Sequence, residues 1–284
     1  MRFGIVILPT YTWSEAAPIW RQAEVLGFDH LWTYDHLTWR GLQDSPWYGT
    51  MPTLTAAAMV TEQARLGTFV TTPNFRHPLP LTRDIVALDD ISGGRFVCGI
   101  GSGGGIDATI LGGPEPTPRE LANRLAEFTG LLHRLLTTDH VDHSGEYFAT
   151  INARTLPGCL QQPRVPFVIA ANGPRSMRLA AEFGQGWITV GRDREDEPAW
   201  WKSLGELSAR MDDLAGYKPL DRYLFLDAPA YSLTSAEAFE ERVRRSADLG
   251  FTDVITHWPR PDHKFHGSVD TLEQVAADVM PRLR

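Results

Sequence analysis

Three stretches of this chain carry residues whose types and spacing could do chemistry. The first is Asp35-His36, a carboxylate beside the side chain that most readily exchanges a proton near neutral pH. The second is Arg95-Phe-Val-Cys-Gly-Ile-Gly-Ser-Gly-Gly-Gly105, an apolar strand running into a serine and a cluster of glycines. Glycines at the C-terminal end of a strand let backbone N–H groups approach a ligand, and a phosphate is the usual guest. The third is Ala171-Asn172-Gly173-Pro174, with Arg175 and Arg178 following. Pro174 suits the first position of a helix whose free N–H groups attract an anion. The expected chemistry is proton exchange at a histidine beside a cradle for an anionic group.

Two other readings of these residues fit less well. Gly99, Gly101 and Gly104 satisfy the spacing of the dinucleotide fingerprint, but that motif belongs to a strand leading directly into a helix. Here earlier strand–helix units come first, and residues 106–118 read as a loop carrying three prolines. His257, His263 and His266 suggest a loose metal set, yet they are strung through a Pro-rich stretch without the one-face spacing of a helical site. No metal is expected. His257 ends a strand and reads instead as a substrate contact, as do Arg192 after another strand and Trp39 beyond His36.

Placing these groups requires a scaffold, and the apolar pattern supplies one. Short β-branched runs at 3–8, 30–34, 65–71, 95–100, 166–170, 186–190, 223–227 and 253–257 alternate with helical patterns. The helices are expected at 14–26, 53–63, 81–91, 118–137, 174–183, 197–214 and 235–249, with 271–283 closing the chain. Many start at Ser, Thr or Pro, and Gly27 and Gly250 stand where a C-cap is expected. Eight β/α alternations in 284 residues predict a single-domain (β/α)8 TIM barrel over residues 1–284. Ser-Gly and Pro-Gly signals within 141–158 predict a short hairpin inserted before the fifth strand. In such barrels the reactive groups gather at the C-terminal ends of strands, where this chain places small, polar and aromatic residues and few carboxylates.

Composition narrows the function further. A formal charge of −8 argues against nucleic acid and anionic membranes as partners. No stretch is apolar enough to cross a bilayer, and the N-terminus reads as a first strand rather than a signal peptide. Two cysteines, Cys98 in a strand and Cys159 in a loop, make no disulfide framework and fit a reducing cytoplasm. Nine tryptophans, several in expected loops, suit a planar ligand or a packed core.

With these residues lined up, the chain resembles the luciferase-like superfamily of flavin and deazaflavin oxidoreductases, essentially end to end. The resemblance rests on Asp35-His36, Leu66-Gly-Thr-Phe-Val-Thr-Thr-Pro-Asn-Phe-Arg76, Gly93-Gly-Arg-Phe-Val-Cys-Gly-Ile-Gly-Ser-Gly103 and Pro166-Phe-Val-Ile-Ala-Ala-Asn-Gly-Pro174. The Asp-His pair and the Thr-Pro-x-Phe-Arg turn are similar to the branch that uses coenzyme F-420. That resemblance implies an isoalloxazine-type ring across the barrel mouth, with a non-prolyl cis peptide joining Phe69 and Val70 behind it. It implies that Asp35 and Thr72 face the ring and that Val70 backs it. It also implies that Gly101, Ser102 and Gly103 hold the cofactor phosphate with Asn172 and Gly173, beside which the first helical turn places Arg175. His36 would handle the proton that accompanies hydride transfer, and the protein would be a homodimer.

One departure from the branch matters. Its sugar-phosphate dehydrogenases carry a glutamate after Gly-Thr-Gly, where this chain has Gly104. Sugar-phosphate oxidation is therefore not expected, and reduction of a C=C or C=N bond of a small organic substrate is. The rival within the family is an FMN-dependent monooxygenase. A rival of another class is a small-molecule binding protein without turnover.

Overall fold

A computed structural model describes residues 1–261 and 265–284. Eight parallel strands close into a barrel: β1 (Arg2–Val6), β2 (His30–Thr33), β3 (Arg65–Thr68), β4 (Phe96–Ile100), β7 (Phe167–Ala170), β8 (Gly186–Thr189), β9 (Asp221–Phe225) and β10 (Asp253–His257). An antiparallel hairpin, β5 (Val141–Ser144) and β6 (Ala149–Ala153), interrupts the series before β7, as the turn signals predict. Closure comes from the pairing of β1 with β10, in register from Arg2 opposite Asp253 to Val6 opposite His257. The protein is a TIM barrel.

Helices pack around the strands: α1 (Trp13–Val25), α2 (Thr50–Ala58), α3 (Pro78–Ile91), α5 (Pro118–Thr137), α6 (Pro174–Phe183), α7 (Glu197–Ala215) and α8 (Ala236–Asp248). The α5 boundaries are those the sequence predicts. Thr117 and Glu120 form a reciprocal capping box at its start, and Pro118 takes the first helical position. A chain-closing helical segment runs from Val269 to Leu283.

Three differences from the sequence reading have local causes. α2 ends at Ala58 rather than 63, because the next residues are held elsewhere. The Glu24 carboxylate accepts the backbone N–H groups of Glu62, Gln63 and Ala64, and the Arg95 guanidinium caps the carbonyls of Ala58, Thr61 and Ala64. β3 stops at Thr68, where the Phe69–Val70 bond is cis, and Thr71 then bridges to Ile100. The stretch 106–118, expected as loop, opens with a short helix, α4 (Ile106–Ile110).

The lower end of the barrel is closed by a buried polar chain. Trp32 Nε1 donates to His30 Nδ1 at 2.6 Å, His30 Nε2 lies 3.1 Å from Asp253, and Arg2 closes on the same carboxylate at 2.6 Å. Room for these rings comes from Gly67, where a Cβ would lie 2.2 Å from the Trp32 ring. Cys98 is fully buried among the strands, and burial pushes its thiol up to about 12. Among the described residues, no helix is long and apolar enough to cross a membrane.

Candidate functional site

A cavity of about 410 Å³ opens at the C-terminal ends of the strands. Its walls are of three kinds: an aromatic side from Tyr34, Trp39, Phe69 and Phe225, a glycine side from residues 101–104, and a polar floor that includes His36 and Asp227. All eight barrel strands point this end upward, which is where barrel chemistry sits.

His36 stands three residues beyond the end of β2. Its Nδ1 lies 2.7 Å from Asp107 Oδ2, and the other Asp107 oxygen accepts the Leu37 N–H at 2.8 Å. A carboxylate at Nδ1 makes that nitrogen the donor, which leaves Nε2 for the cavity. Trp47 Nε1 donates to the His36 carbonyl, and the Trp39 ring packs 4.7 Å from the imidazole. The histidine is therefore fixed in position and tautomer. Asp107 is fully buried on α4 and was not among the residues expected from sequence. Its partner stands 71 positions away, so no local spacing could have revealed it.

Asp35 is placed differently from the expectation. Its carboxylate is 1% exposed and accepts from Thr71 Oγ1 and from Nε and Nη2 of Arg76, both at 2.6 Å. Burial alone would lower the Arg76 guanidinium, but these bonds and the Asp35 charge push it up. Asp35 thus lies behind the cavity wall, where a partly buried arginine claims it. Thr72 is also fully buried, its hydroxyl directed at the Ser102 carbonyl at 3.2 Å. Both residues support the wall rather than line it. Phe69 and Val70 do line it, on either side of the cis bond.

The glycine side is a prepared anion cradle. The Asn74 side-chain amide donates to the carbonyls of Ser102 and Gly104 at 2.9 and 2.8 Å, which holds the loop in one shape. Among the described residues, no protein group accepts from the backbone N–H groups of Ser102, Gly103 or Gly104. Gly103 has φ +61, and a Cβ there would sit 2.4 Å from Thr72 Oγ1. A Cβ on Gly101 would lie 2.5 Å from Val70 Cγ2. Opposite this loop, Gly173 caps the N-terminus of α6, and Asn172 and Gly173 line the cavity. The Asn172 amide is pinned by the Gly191 carbonyl and by Thr189 Oγ1. The loop at 101–104 and the N-terminal residues of α6 line the same cavity, an arrangement that favours a phosphate or carboxylate.

The expected cations and His257 are arranged otherwise. Arg175 is exposed on the first turn of α6, and Ser176 from that turn reaches the cavity instead. The Arg192 backbone is tied to Ser203 on α7 through both its N–H and its carbonyl, so its side chain is exposed. Arg194, two residues on, lines the cavity. His257 is fully buried beneath Tyr34, whose hydroxyl lies 2.9 Å from its Nε2. His263 lies outside the described residues. Among the described residues, no group of three or more His, Cys, Asp or Glu side chains is disposed to hold a metal ion.

The barrel mouth thus brings together an aromatic wall, a glycine loop and a tethered histidine. Residues 1–278 match the luciferase-like monooxygenase family, and the chain belongs to it. It is 35% identical to the F420-dependent glucose-6-phosphate dehydrogenase of Nakamurella multipartita, over 95% of this chain and 93% of that protein. It is 27% identical to the 5,10-methylenetetrahydromethanopterin reductase of Methanopyrus kandleri, over 96% of this chain and 77% of that one. In fold it is similar to an F420-dependent secondary alcohol dehydrogenase, with a TM-score of 0.82, 17% identity, and coverage of 100% and 99% of the two chains.

Proposed function

We propose that this protein is a coenzyme F-420-dependent oxidoreductase that moves a hydride between the deazaflavin and a small organic substrate. The observation that carries this reading is the run of backbone N–H groups at 102–104 that have no acceptor among the described residues, set beside an apolar slot and His36. Relatives matched over more than nine-tenths of the chain bear F420-dependent names, which supports the deazaflavin over FMN.

The residues present fit that cofactor. Ser102, Gly103 and Gly104 would bind its phosphate with Asn172 and Gly173, while Phe69 and Val70 would back the ring. When bound, the deazaflavin supplies a two-electron hydride acceptor or donor. The protein's part is to hold ring and substrate in contact and to exclude water between the aromatic walls. His36, held by Asp107, holds or moves a proton at Nε2.

Sugar-phosphate oxidation fits this cavity poorly, although relatives carry that activity in their names. Gly104 stands where the branch has its glutamate, and Arg194 is the one cationic side chain among the described residues that line the cavity. Reduction of a C=C or C=N bond rests on no particular side chain. A homodimer stays part of the proposal through the family resemblance.

Fluorescence titration with F-420 and with FMN tests the reading. Tighter binding of F-420 is the expected result. Binding of FMN alone would move the protein to the monooxygenases of its family.

A further inference from the structure

A second polar chain ends in the cavity, and the hydride-transfer reading does not use it. The Tyr34 hydroxyl lies 2.9 Å from His257 Nε2, and His257 Nδ1 lies 3.0 Å from Asp227 Oδ2. Asp227 also accepts the His257 backbone N–H at 2.7 Å and the N–H and hydroxyl of Ser232 at 2.9 and 2.6 Å. All four residues are buried, while Tyr34 and Asp227 line the cavity.

The bonding fixes the direction of this chain. Every group around Asp227 is a donor, so the carboxylate accepts and His257 carries its proton on Nδ1. His257 Nε2 is then an acceptor, and Tyr34 O–H must donate to it. Burial, with the Asp227 charge adding, pushes the Tyr34 hydroxyl well above its ordinary value, so it remains a neutral donor. A hydroxyl that donates to Nε2 keeps acceptor capacity on its oxygen, and Tyr34 is among the residues that line the cavity. Burying a hydroxyl, an imidazole and a carboxylate is costly unless each is paired, and an apolar wall would serve packing as well.

The barrel contains a built-in comparison. The chain Trp32–His30–Asp253 at the opposite end has the same residue classes, but it runs to Arg2, which is half exposed at the barrel floor. That chain joins strands. Tyr34–His257–Asp227 runs instead from the end of β10 to the mouth, where groups of this kind act on ligands.

We infer that Tyr34 is a catalytic residue that takes the proton of a substrate hydroxyl, with His257 and Asp227 as positioning residues behind it. The inference rests on the hydride transfer proposed above and narrows the substrate to an alcohol or its carbonyl product. In the oxidative direction the substrate O–H proton passes to the Tyr34 oxygen as the Tyr34 proton passes to His257 Nε2. The resulting imidazolium faces Asp227, the C–H hydride leaves with its electron pair for oxidised F-420, and the C=O bond forms. The reverse returns the same proton to a carbonyl oxygen. The logic is that of a serine–histidine–aspartate triad with tyrosine as the outer hydroxyl.

Nitrogen-15 histidine NMR of the cofactor-free protein tests the chain, with His257→Gln used to assign the signal. A neutral His257 protonated on Nδ1 is expected, with Nε2 shifting downfield in Tyr34→Phe as its hydrogen bond is lost. Adding 2-propanol or cyclohexanol should shift Nε2 in the unaltered protein and not in Tyr34→Phe. An Nε2 signal indifferent to Tyr34→Phe, or unmoved by both alcohols, would overturn the assignment. In turnover with F-420 and either alcohol, Tyr34→Phe should fall by on the order of a hundredfold while F-420 affinity stays within about twofold. Asp227→Asn should fall similarly, because an amide favours the other tautomer. Unchanged turnover in Tyr34→Phe would also overturn it. Failure to bind F-420 would instead strike the proposed function, leaving the NMR result to judge the hydrogen-bonded chain.

Discussion

His36 and Asp107 stand 71 positions apart in the chain and 2.7 Å apart at the cavity floor, one just beyond the end of β2 and the other on α4. The carboxylate sets which imidazole nitrogen faces the ligand. His36→Ala should lower turnover by on the order of a hundredfold with little change in F-420 affinity. Asp107→Asn should reproduce much of that loss, since an amide can present N–H to Nδ1 and reverse the tautomer. Steady-state rates measured alongside fluorescence titration would check both, and near-normal turnover in Asp107→Asn would reduce Asp107 to a cap on the Leu37 N–H.

Asp35→Ala is expected to act on the fold before the ligand. It removes both oxygens that the Arg76 fork holds and leaves a mostly buried guanidinium with the more distant Asp84 carboxylate, at 3.9 Å. Breaking a buried pair from one side costs roughly 3–5 kcal/mol, or on the order of 10 °C in Tm for a chain of this size. The double variant Asp35→Leu with Arg76→Met should recover much of the loss. Calorimetry of the three proteins decides whether the pair supports the wall as described.

Gly103→Ala should weaken F-420 binding by on the order of tenfold, since a left-handed backbone costs an L-residue about 1–2 kcal/mol. The new methyl would also meet Thr72 Oγ1. Thr72→Gly in the same chain should return part of the affinity, read by the same titration. Equal affinity in the single variant would remove the cradle from the binding site.

Glu24 ties α1 to the entrance of β3, and its titration gives a pH signature. Burial would raise its carboxyl, but the N–H groups of Ala64, Gln63 and Glu62 and the Arg95 charge hold it below the usual carboxylate range. A carboxyl whose folded pKa is depressed contributes stability above its unfolded pKa and loses it as pH falls through the folded one. Glu24→Gln should therefore lower Tm at pH 7 by roughly 2–4 °C, equivalent to about 1 kcal/mol, and the gap should close below about pH 4. Thermal melts of both proteins from pH 7 to pH 3 would show it, and a gap that widened in acid would refute the assignment.

The barrel was legible because its signals are repeated and local: eight apolar strands, capped helices and turn residues agree with one another. The hairpin and the α5 boundaries follow from Ser-Gly, Pro-Gly and Thr117-Pro118. At the site, strand ends were legible but side-chain partners were not. His36 and the 101–103 loop could be named because a strand end and a glycine run mark themselves. Asp107 lay in a stretch whose prolines hid a short helix. His257 closes β10 as expected, yet Tyr34 covers it, a relation between strands at opposite ends of the chain. Arg194 rather than Arg192 lines the cavity, and the backbone bonds that tie Arg192 to Ser203 leave no mark in the sequence.

The Asn74 clamp on the Ser102 and Gly104 carbonyls, with Thr72 filling the space beside Gly103, makes residues from two strand ends a single heritable unit. Position 103 cannot gain a side chain unless position 72 shrinks, and position 74 cannot lose its amide without releasing the loop. A lineage drifting toward a different ligand would have to change the end of β3 and the end of β4 together. Divergence at this mouth is therefore expected to come in correlated steps, with single substitutions there removed before they spread.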